Sequence, residues 1–384
     1  MQITGRRYDT GETVQVSVTD GSVQRVTPCD SATPLPWIAP GFVDLQVNGY
    51  GGREFSSADL QPDDVAGIVR RNIQFGVTQL CPTVTTQSLE VIEHAMRTIA
   101  TACERWPDVA RAVAGVHLEG PYLSREDGPR GAHPAEHCRA PDVEEFSRIQ
   151  DAASGRIKIV TLSPEYDESV GFIRHVTSGG VLAAIGHTAA DSAQIRAAVD
   201  AGARLSTHLG NGAHRTLRRH PNYLWDQLAE DRLTASLIAD GHHLPAEVIK
   251  TFVRAKTADR VLLVSDLSGM AGLPVGRYST GLCELEILAD GRLVIAGQDQ
   301  LLAGASSPIG VGVANLIHMA GLDLKTAVDC ASLHPARLLD SPCGGLTPGD
   351  PADFVLFDLN VPDGSEDLPQ LEIRATYCAG QQVY

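Results

Sequence analysis

Residues 180–191 read GVLAAIGHTAAD, and this stretch shows the pattern that decides the fold. The aliphatic run Gly180–Ile185 is followed by polar residues and then by an amphipathic, alanine-rich pattern. A short apolar run bounded by polar residues indicates a buried strand, and a 3.6-residue period indicates a helix. Thr188 and Asp191 have the spacing of a capping box, which predicts that His187 lies at the junction between strand and helix.

The same strand-and-helix unit recurs along the chain at a spacing of roughly 30 residues, the size of one βα unit. Eight units predict a closed (β/α)₈ barrel of the TIM type, with a doubly wound open sheet as the alternative. The other seven apolar runs are Gly41–Val47, Gly76–Cys81, Val113–Leu118, Ile157–Leu162, Arg204–Thr207, Thr234–Ala239 and Val261–Val264.

Strand-like segments at both ends of the chain lie outside this alternation. Residues 1–40 alternate polar and apolar positions around Asp20-Gly21, which is a hairpin signal. Either end alone has too few strands to bury a core. We therefore expect residues 1–40 and 345–384 to form one small, discontinuous β-sandwich domain and residues 41–344 to form the barrel. A hairpin insertion is expected near residues 278–296.

The composition excludes several classes of partner. The chain has 384 residues, with 31 Lys and Arg against 47 Asp and Glu, and its formal net charge of −16 repels nucleic acid and anionic lipid surfaces. No stretch approaches about 18 uninterrupted apolar residues, and the N-terminus has no apolar signal core. The 8 cysteines are scattered without a CxxC pair, which argues against a zinc knuckle or a disulfide framework. We expect a cytoplasmic protein that binds neither nucleic acid nor membrane.

Metal-ligating side chains follow three of the predicted strands. The catalytic groups of a barrel lie at the carboxyl ends of its strands. Glu119, His187 and His208 follow the third, fifth and sixth runs and supply one carboxylate and two imidazoles. This open three-ligand set suits a catalytic Zn²⁺ or another divalent transition metal. Taken singly, a strand-end histidine is more often a hydrogen-bonded loop residue, and Glu119 could be a charge at a helix N-terminus.

Two further side chains could act on the substrate. Asp266 follows the eighth run, and we interpret it as a general base and acid that takes a proton from water and returns it to a leaving nitrogen. A helix cap and an additional metal ligand are the alternatives for this residue. His243, or its neighbour His242, follows the seventh run and could donate a hydrogen bond to a developing oxyanion.

An arginine-rich segment interrupts this acidic chain. Residues 214–220 contain three arginines, and guanidinium groups match the geometry of phosphate. A clamp for an anionic substrate group and a solvated loop are equally compatible with this composition. No complete GxGxxG motif occurs, so we assign no nicotinamide role.

Short motifs occur in a fixed order along nearly the whole chain. They are PGFVD at Pro40–Asp44, QVNG at Gln46–Gly49, HLEGP at His117–Pro121, GHT at Gly186–Thr188, THL at Thr207–Leu209, ADG at Ala239–Gly241 and LAG at Leu302–Gly304. Together they resemble the N-acetylglucosamine-6-phosphate deacetylase family of the amidohydrolase superfamily.

This resemblance implies a metal-dependent hydrolase that removes the acetyl group from N-acetylglucosamine 6-phosphate or a close N-acetyl amino sugar phosphate. Gln46 and Asn48 replace the His-x-His pair of many amidohydrolases, which implies one divalent metal ion, expected to be Zn²⁺, on Glu119, His187 and His208. Asp266 becomes the catalytic acid and base. The implied substrate contacts are His133, Asn211, Gly212, Arg219, His243, Leu302, Ala303 and Gly304. Arg219 would hold the sugar phosphate partly across the interface of a homodimer.

The chain departs from the family's pattern around the predicted substrate pocket. Gly210–Ala213 replaces an aromatic-Asn-Ala-Met run, and Leu267–Met270 replaces the common residues after the catalytic aspartate. Loss of bulky side chains should reshape the pocket. An amidohydrolase with the same machinery but a different N-acyl or cyclic amide substrate, phosphorylated or not, is therefore the first alternative, and a non-catalytic scaffold is the second.

Overall fold

The N-terminal segment forms four strands whose alternating sequence buries every second residue. The computed structural model describes residues 1–280, 284–360 and 369–384. The first strands are β1 (Gln2–Arg7), β2 (Thr13–Thr19), β3 (Ser22–Pro28) and β4 (Trp37–Pro40). Along β2, Val14, Val16 and Val18 are buried, whereas the intervening residues are partly exposed. One apolar face is what a sheet packed against another layer requires.

A parallel sheet of eight strands follows directly. Its first strand, β5 (Phe42–Val47), leads into a short hairpin of β6 (Gly49–Tyr50) and β7 (Arg53–Glu54). The remaining seven strands are β8 (Val77–Thr85), β9 (Val116–Glu119), β10 (Ile157–Leu162), β11 (Leu182–Ile185), β12 (Leu205–Ser206), β13 (Thr234–Leu237) and β14 (Val261–Leu263). They pair in the order β5-β8-β9-β10-β11-β12-β13-β14, and each overlaps one predicted run. The predicted TIM-type barrel is confirmed.

The helices within residues 62–256 lie between these strands, as the βα alternation predicts, and those within residues 309–338 follow the last barrel strand. They are α1 (Pro62–Ile73), α2 (Leu89–Arg105), α3 (Pro107–Ala112), α4 (Val143–Ala152), α5 (Ser169–Ser178), α6 (Ser192–Ala201), α7 (Tyr223–Ala229), α8 (Ala246–Lys256), α9 (Ile309–Asn315), α10 (Leu324–Ala331) and α11 (Leu333–Leu338). A 3₁₀ turn spans Ala258–Arg260, and a π-helical turn spans Leu316–Ala320. None of the described helices combines the length and the apolar composition that crossing a membrane requires.

The start of α6 differs from the prediction. Asp191, not Thr188, is the N-cap of this helix, and its carboxylate accepts hydrogen bonds from the amides of Ala193 and Gln194. The Gln194 side chain completes the capping box by accepting from the Asp191 amide. Thr188 instead accepts hydrogen bonds from Ser163 and from the amide of Ala190 within the preceding loop. The predicted capping box was wrong because a stronger aspartate cap follows three residues later.

The barrel closes between β5 and β14 without a regular ladder in the described residues. These strands are the two ends of the pairing order, and a single bridge joins Val47 to Leu267. The Asp266 amide donates to the carbonyl of Gln46 at 3.0 Å. The Asp44 carboxylate accepts from the Ser265 amide at 3.1 Å. Individual hydrogen bonds therefore hold the first and last strands together at their carboxyl ends.

Two smaller sheets complete the structure. The strands β15 (Gly276–Ser279), β16 (Glu284–Ile287), β17 (Leu293–Ile295) and β18 (Gln298–Leu302) form an antiparallel sheet where the sequence predicts a hairpin. The C-terminal strands β19 (Phe354–Asn360), β20 (Gln370–Cys378) and β21 (Gln381–Gln382) join β1–β4 in one sheet of seven strands. The strands of both termini thus pair with one another, as expected, and they form a single hydrogen-bonded sheet. We propose the domain boundaries, residues 1–40 with 345–384 and residues 41–344, from this arrangement.

Candidate active site

Three predicted metal ligands meet at the carboxyl ends of the barrel strands. Glu119 is the last residue of β9, and His187 and His208 each lie two residues beyond their strands. Oε1 of Glu119 lies 3.3 Å from Nε2 of His187 and 3.0 Å from Nε2 of His208. The two Nε2 atoms are 3.1 Å apart. One carboxylate oxygen and two imidazole nitrogens therefore converge on a single point.

The chemistry of this donor set fits a divalent cation. The Nδ1 atom of His187 donates to the carbonyl of Pro129 at 2.8 Å, so Nε2 is the nitrogen that can offer its lone pair to a metal. Burial alone would raise the pKa of Glu119, but the imidazoles of His187 and His208 outweigh burial and hold this pKa well below its ordinary value. An ionised carboxylate beside two imidazoles is a common catalytic metal set.

His133 lies beside this cluster and defines a second possible ligand set. Its Nε2 atom is 3.3 Å from Nε2 of His187. The ligand atoms of Glu119, His133 and His187 all lie within 4.8 Å of one another and could also hold a metal ion. Burial, followed by the neighbouring imidazole of His187, lowers the pKa of His133 to about 3. We favour the set containing His208, because all three of its separations are 3.3 Å or less.

Backbone strain accompanies this placement. His187 has φ of 49° and His208 has φ of 27°, and Asp266 has φ of 52°. Residues other than glycine rarely adopt positive φ, and such strain persists where the surrounding structure over-determines it. The three residues thus share an unfavourable conformation at equivalent strand ends, which is typical of a functional site.

Asp266 is held by two side chains of the first strand's end. Its Oδ1 atom accepts hydrogen bonds from Nε2 of Gln46 at 3.1 Å and from Nδ2 of Asn48 at 2.8 Å. Burial, with a contribution from the nearby charge of Glu119, raises the pKa of Asp266 to about 6. Because both donors use Oδ1, Oδ2 is left to interact with a ligand. Sequence reasoning missed this role of Gln46 and Asn48, since it depends on the closure between β5 and β14.

His243 is oriented by a carboxylate three residues before it. Its Nδ1 atom donates to Oδ2 of Asp240 at 2.8 Å, and the amides of His242 and His243 donate to Oδ1 of Asp240. Burial alone would raise the pKa of Asp240, but the hydrogen bond from His243 lowers it. The ring of His243 is fixed in this way, whereas His242 is held through its backbone. We keep His243, rather than His242, as the predicted substrate contact.

The cluster opens into a cavity of about 830 Å³ that contains most of the predicted site. Its wall includes Glu119, His133, His187, His208, Asn211, Gly212, His243, Asp266, Leu302, Ala303 and Gly304. Arg219 is exposed and lies outside this wall, although Arg215 from the same segment lines it. Leu285 and Ile295 show that the four-stranded insertion also contributes to the wall. A single chain therefore brings the ligands, Asp266 and His243 together but leaves Arg219 apart.

Gly212 allows the ring of His187 to approach the backbone, and this predicts the effect of a substitution. Gly212 has φ of 56°, and a Cβ built on it would lie 2.5 Å from Nδ1 of His187. We expect Gly212→Ala to displace this ring from its bond to Pro129 and to lower metal affinity by tenfold or more, since losing an outer-shell partner costs about 10- to 100-fold. Metal retention during dialysis against a chelator measures the effect.

Gly67→Ala is the matched control for this substitution. Gly67 lies within α1, and a Cβ there would meet nothing within 4 Å. This variant should retain metal like the unsubstituted protein. Equal metal retention by the Gly212 and Gly67 variants would show that the ring of His187 tolerates a Cβ at Gly212.

Fold and site together are those of an amidohydrolase. The sequence model of the amidohydrolase family matches residues 37–383, and the chain belongs to this family. It is 36% identical to an N-acetylglucosamine-6-phosphate deacetylase from Bos taurus over 358 residues, or 90% of this chain and 83% of that protein. It is 33% identical over 350 residues to an N-acetylgalactosamine-6-phosphate deacetylase from Escherichia coli O157:H7, with 90% of each chain covered.

Solved structures agree with these sequence comparisons. An N-acetyl-D-glucosamine-6-phosphate deacetylase from Mycobacterium smegmatis has a TM-score of 0.88 and 29% identity, with both chains covered completely. An aspartate-to-alanine mutant of the deacetylase from that organism, solved with N-acetyl-D-glucosamine-6-phosphate, has a TM-score of 0.85 and 30% identity, covering 97% of this chain and 94% of that chain. The resemblance predicted from the sequence motifs is confirmed.

Proposed function

We propose that this protein hydrolyses the acetamide of N-acetylglucosamine 6-phosphate, giving glucosamine 6-phosphate and acetate. The observation that carries the proposal is the position of Asp266 in one cavity with the cluster of Glu119, His187 and His208. Identity of 36% to a deacetylase of this name over 90% of the chain supports the choice of substrate. A non-catalytic scaffold would not need both the three proposed metal ligands and Asp266 in the same cavity.

The chain's own residues account for the proton transfers of amide hydrolysis. Glu119, His187 and His208 would hold one divalent ion, which we propose to be Zn²⁺; when bound, it would polarise the amide carbonyl and lower the pKa of water. Asp266 accepts a proton from the attacking water at Oδ2, while Gln46 and Asn48 hold Oδ1. Its pKa of about 6 suits both accepting this proton and delivering it to the leaving nitrogen near neutral pH.

His243 completes the proposed site from the seventh strand. The hydrogen bond from its Nδ1 atom to Asp240 fixes the ring, so Nε2 can be presented to the substrate in one orientation. Asn211 and Gly212 lie on the same cavity wall as His133 and are proposed to contact the sugar. A fixed ring lowers the entropy lost when the substrate binds.

We further propose a cytoplasmic homodimer. The cysteines of the described residues are unpaired, which suits a reducing compartment. The exposure of Arg219 outside the cavity of its own chain supports a role towards a second copy, whose cavity it would reach across the interface. The guanidinium group of such an arginine matches the geometry of a sugar phosphate.

The direct test is acetate release from N-acetylglucosamine 6-phosphate by the metal-loaded protein, compared with unphosphorylated N-acetylglucosamine. We expect acetate from the phosphorylated compound at a kcat/KM at least about 100-fold higher, since charge-assisted hydrogen bonds each contribute roughly 1.5–3 kcal/mol. Equal rates on both compounds would contradict a phosphate site, and no acetate from either would contradict the proposed reaction.

Arg219→Ala tests the phosphate contact separately. We expect KM for the phosphorylated substrate to rise about tenfold or more, with little change in kcat, because the guanidinium contributes to binding rather than to proton transfer. Arg196→Ala, on α6, is a control that should leave KM unchanged. An unchanged KM in the Arg219 variant would remove this residue from the proposed site.

N-Acetylgalactosamine 6-phosphate is a second candidate substrate. The identity of 33% to a deacetylase with that name supports it, and Gly210–Ala213 departs from the usual family residues beside the sugar. Comparing kcat/KM for the two phosphorylated epimers in the same acetate assay decides between them.

A further inference from the structure

Glu54 places a carboxylate in the cavity wall without a partner. It is the last residue of β7, in the hairpin that follows the first barrel strand. It lines the same cavity as Glu119 and Asp266. Its carboxylate forms no hydrogen bond or ion pair with any residue that the structure describes, and burial is the one cause that raises its pKa.

Two glycines pack closely against Glu54. A Cβ on Gly269, in the loop after β14, would lie 2.0 Å from Cγ of Glu54. A Cβ on Gly49, opposite Glu54 in the hairpin, would lie 2.9 Å from its Cα. The stem of the side chain therefore lies between the hairpin and the loop that follows the last barrel strand, and Glu54 is half-buried.

A half-buried carboxylate without a protein donor keeps its hydrogen-bonding capacity for a ligand. Buried polar groups are nearly always hydrogen-bonded, and burying an unpaired charge destabilises the fold. Within residues 1–280, 284–360 and 369–384, neither an arginine nor a backbone amide donates to the carboxylate of Glu54. A group that is unsatisfied in the free protein and faces a reaction cavity is a candidate for contact with a ligand.

The neighbouring hydroxyls in this part of the wall are already hydrogen-bonded. Ser56 and Thr85 also line the cavity, but their hydroxyls bond each other at 2.9 Å, and the Thr85 amide donates to Oγ of Ser56. Asn48 uses its Nδ2 group for Asp266. A ligand that reaches this region therefore meets one carboxylate that can accept a hydrogen bond and no competing free cation among these neighbours.

Charge restricts which part of the ligand can lie there. A phosphate beside Glu54 would be repelled, whereas Arg130 and Arg215 line the cavity from the loops that follow the third and sixth strands. The hairpin of Glu54 follows the first strand. An anionic amino sugar bound with its phosphate towards the arginines would bring an uncharged, hydroxyl-bearing part to Glu54.

We propose that Glu54 is a specificity-determining residue that accepts a hydrogen bond from a substrate hydroxyl. The inference rests on the proposed function and adds a contact that neither the sequence motifs nor the catalytic residues require. The hydroxyl could belong to the sugar ring or to a hydroxylated N-acyl group, and both present the same O–H donor to the carboxylate.

Paired substrates test the contact and distinguish these sources. The metal-loaded protein and its Glu54→Gln and Glu54→Ala variants are assayed with N-acetylglucosamine 6-phosphate, its 3-deoxy and 4-deoxy analogues, and N-glycolylglucosamine 6-phosphate. One of these hydroxyls should be the one that Glu54 contacts. For that hydroxyl, we expect kcat/KM of the unsubstituted protein to be about tenfold to a hundredfold higher for the compound that carries it than for the compound that lacks it. In Glu54→Ala this preference should fall to within about threefold, with Glu54→Gln between them.

An exposed carboxylate elsewhere in the chain provides the matched control. Glu104→Gln removes an exposed carboxylate from α2 and should keep every preference. If all hydroxyl preferences are the same in the Glu54 variants as in the unsubstituted protein, Glu54 does not contact a substrate hydroxyl. Thermal unfolding of each variant shows whether a loss of activity is a loss of folding, which would lower the rates with all compounds equally.

A binding measurement separates this inference from the proposed function. If the unsubstituted protein releases no acetate, the same compounds are titrated into it by calorimetry. A hydroxyl-dependent Kd that is lost in Glu54→Ala would then support the contact while contradicting the deacetylase proposal. Acetate release without any hydroxyl preference lost in Glu54→Ala would contradict the contact alone.

Discussion

An Asp266→Asn variant will bind metal at close to the level of the unsubstituted protein, and its kcat will be lower by about 10³-fold, within the range that general acid–base catalysis contributes. Asparagine can still accept the hydrogen bonds from Gln46 and Asn48 at Oδ1, so the geometry should persist. It cannot accept the proton that the carboxylate of Asp266 would receive at Oδ2. The predicted loss is therefore one of turnover rather than of structure.

Metal analysis and acetate release on the same preparation measure this result. Asp151→Asn, an exposed position in α4, is the matched control and should leave both quantities unchanged. Turnover of the Asp266 variant at the unsubstituted rate would remove the assigned role. Loss of metal together with turnover would instead indicate that Asp266 is a ligand, the alternative left open by the sequence.

Removing a proposed metal ligand should lower turnover by a comparably large factor, because the protein would lose its metal. His208→Ala is expected to weaken metal binding by about 100-fold or more, because the loss of a direct ligand should exceed the 10- to 100-fold cost of losing an outer-shell partner. Its Nε2 atom lies 3.0 Å from Glu119 and 3.1 Å from His187, closer to both than the 4.8 Å limit of the alternative set with His133 requires. Turnover should fall with the metal content.

His133→Ala decides between the two ligand sets. His133 shares the cluster with His187 but lies outside the tighter set. Metal content after dialysis should be retained in His133→Ala and lost in His208→Ala. The opposite pattern would assign the metal to Glu119, His133 and His187. His175→Ala, an exposed position in α5, is a control for the loss of a histidine as such.

The barrel was predictable because its strands are buried on both faces. Each strand contains or overlaps a short, mainly apolar run, and such runs are visible in the sequence without knowledge of their partners. β12 illustrates the limit: the run Arg204–Thr207 contains a strand of two residues, Leu205–Ser206. The ligand set followed from the same logic, since strands in a barrel end on one rim.

The contacts between distant strand ends were not predictable in this way. Gln46 and Asn48 suggested only the absence of a His-x-His pair, whereas the structure shows them bonded to Asp266, 220 and 218 positions away. Glu54 belongs to no motif, and its isolation becomes evident only when its neighbours are known. Arg219 was predicted from composition and resemblance, neither of which reports which side of a loop faces the cavity.

The closure between β5 and β14 has a consequence for how this enzyme could change over evolutionary time. Asp266, the residue proposed to carry the proton, also joins the first and last strands by hydrogen bonds. Its side chain accepts from Gln46 and Asn48, and its amide donates to the carbonyl of Gln46. Replacing Gln46 and Asn48 with histidines, to bind a second metal, would also remove the side-chain hydrogen bonds that hold Asp266. If the site holds one ion, as proposed, a second ion at these two positions would first require another hydrogen-bond donor for Asp266.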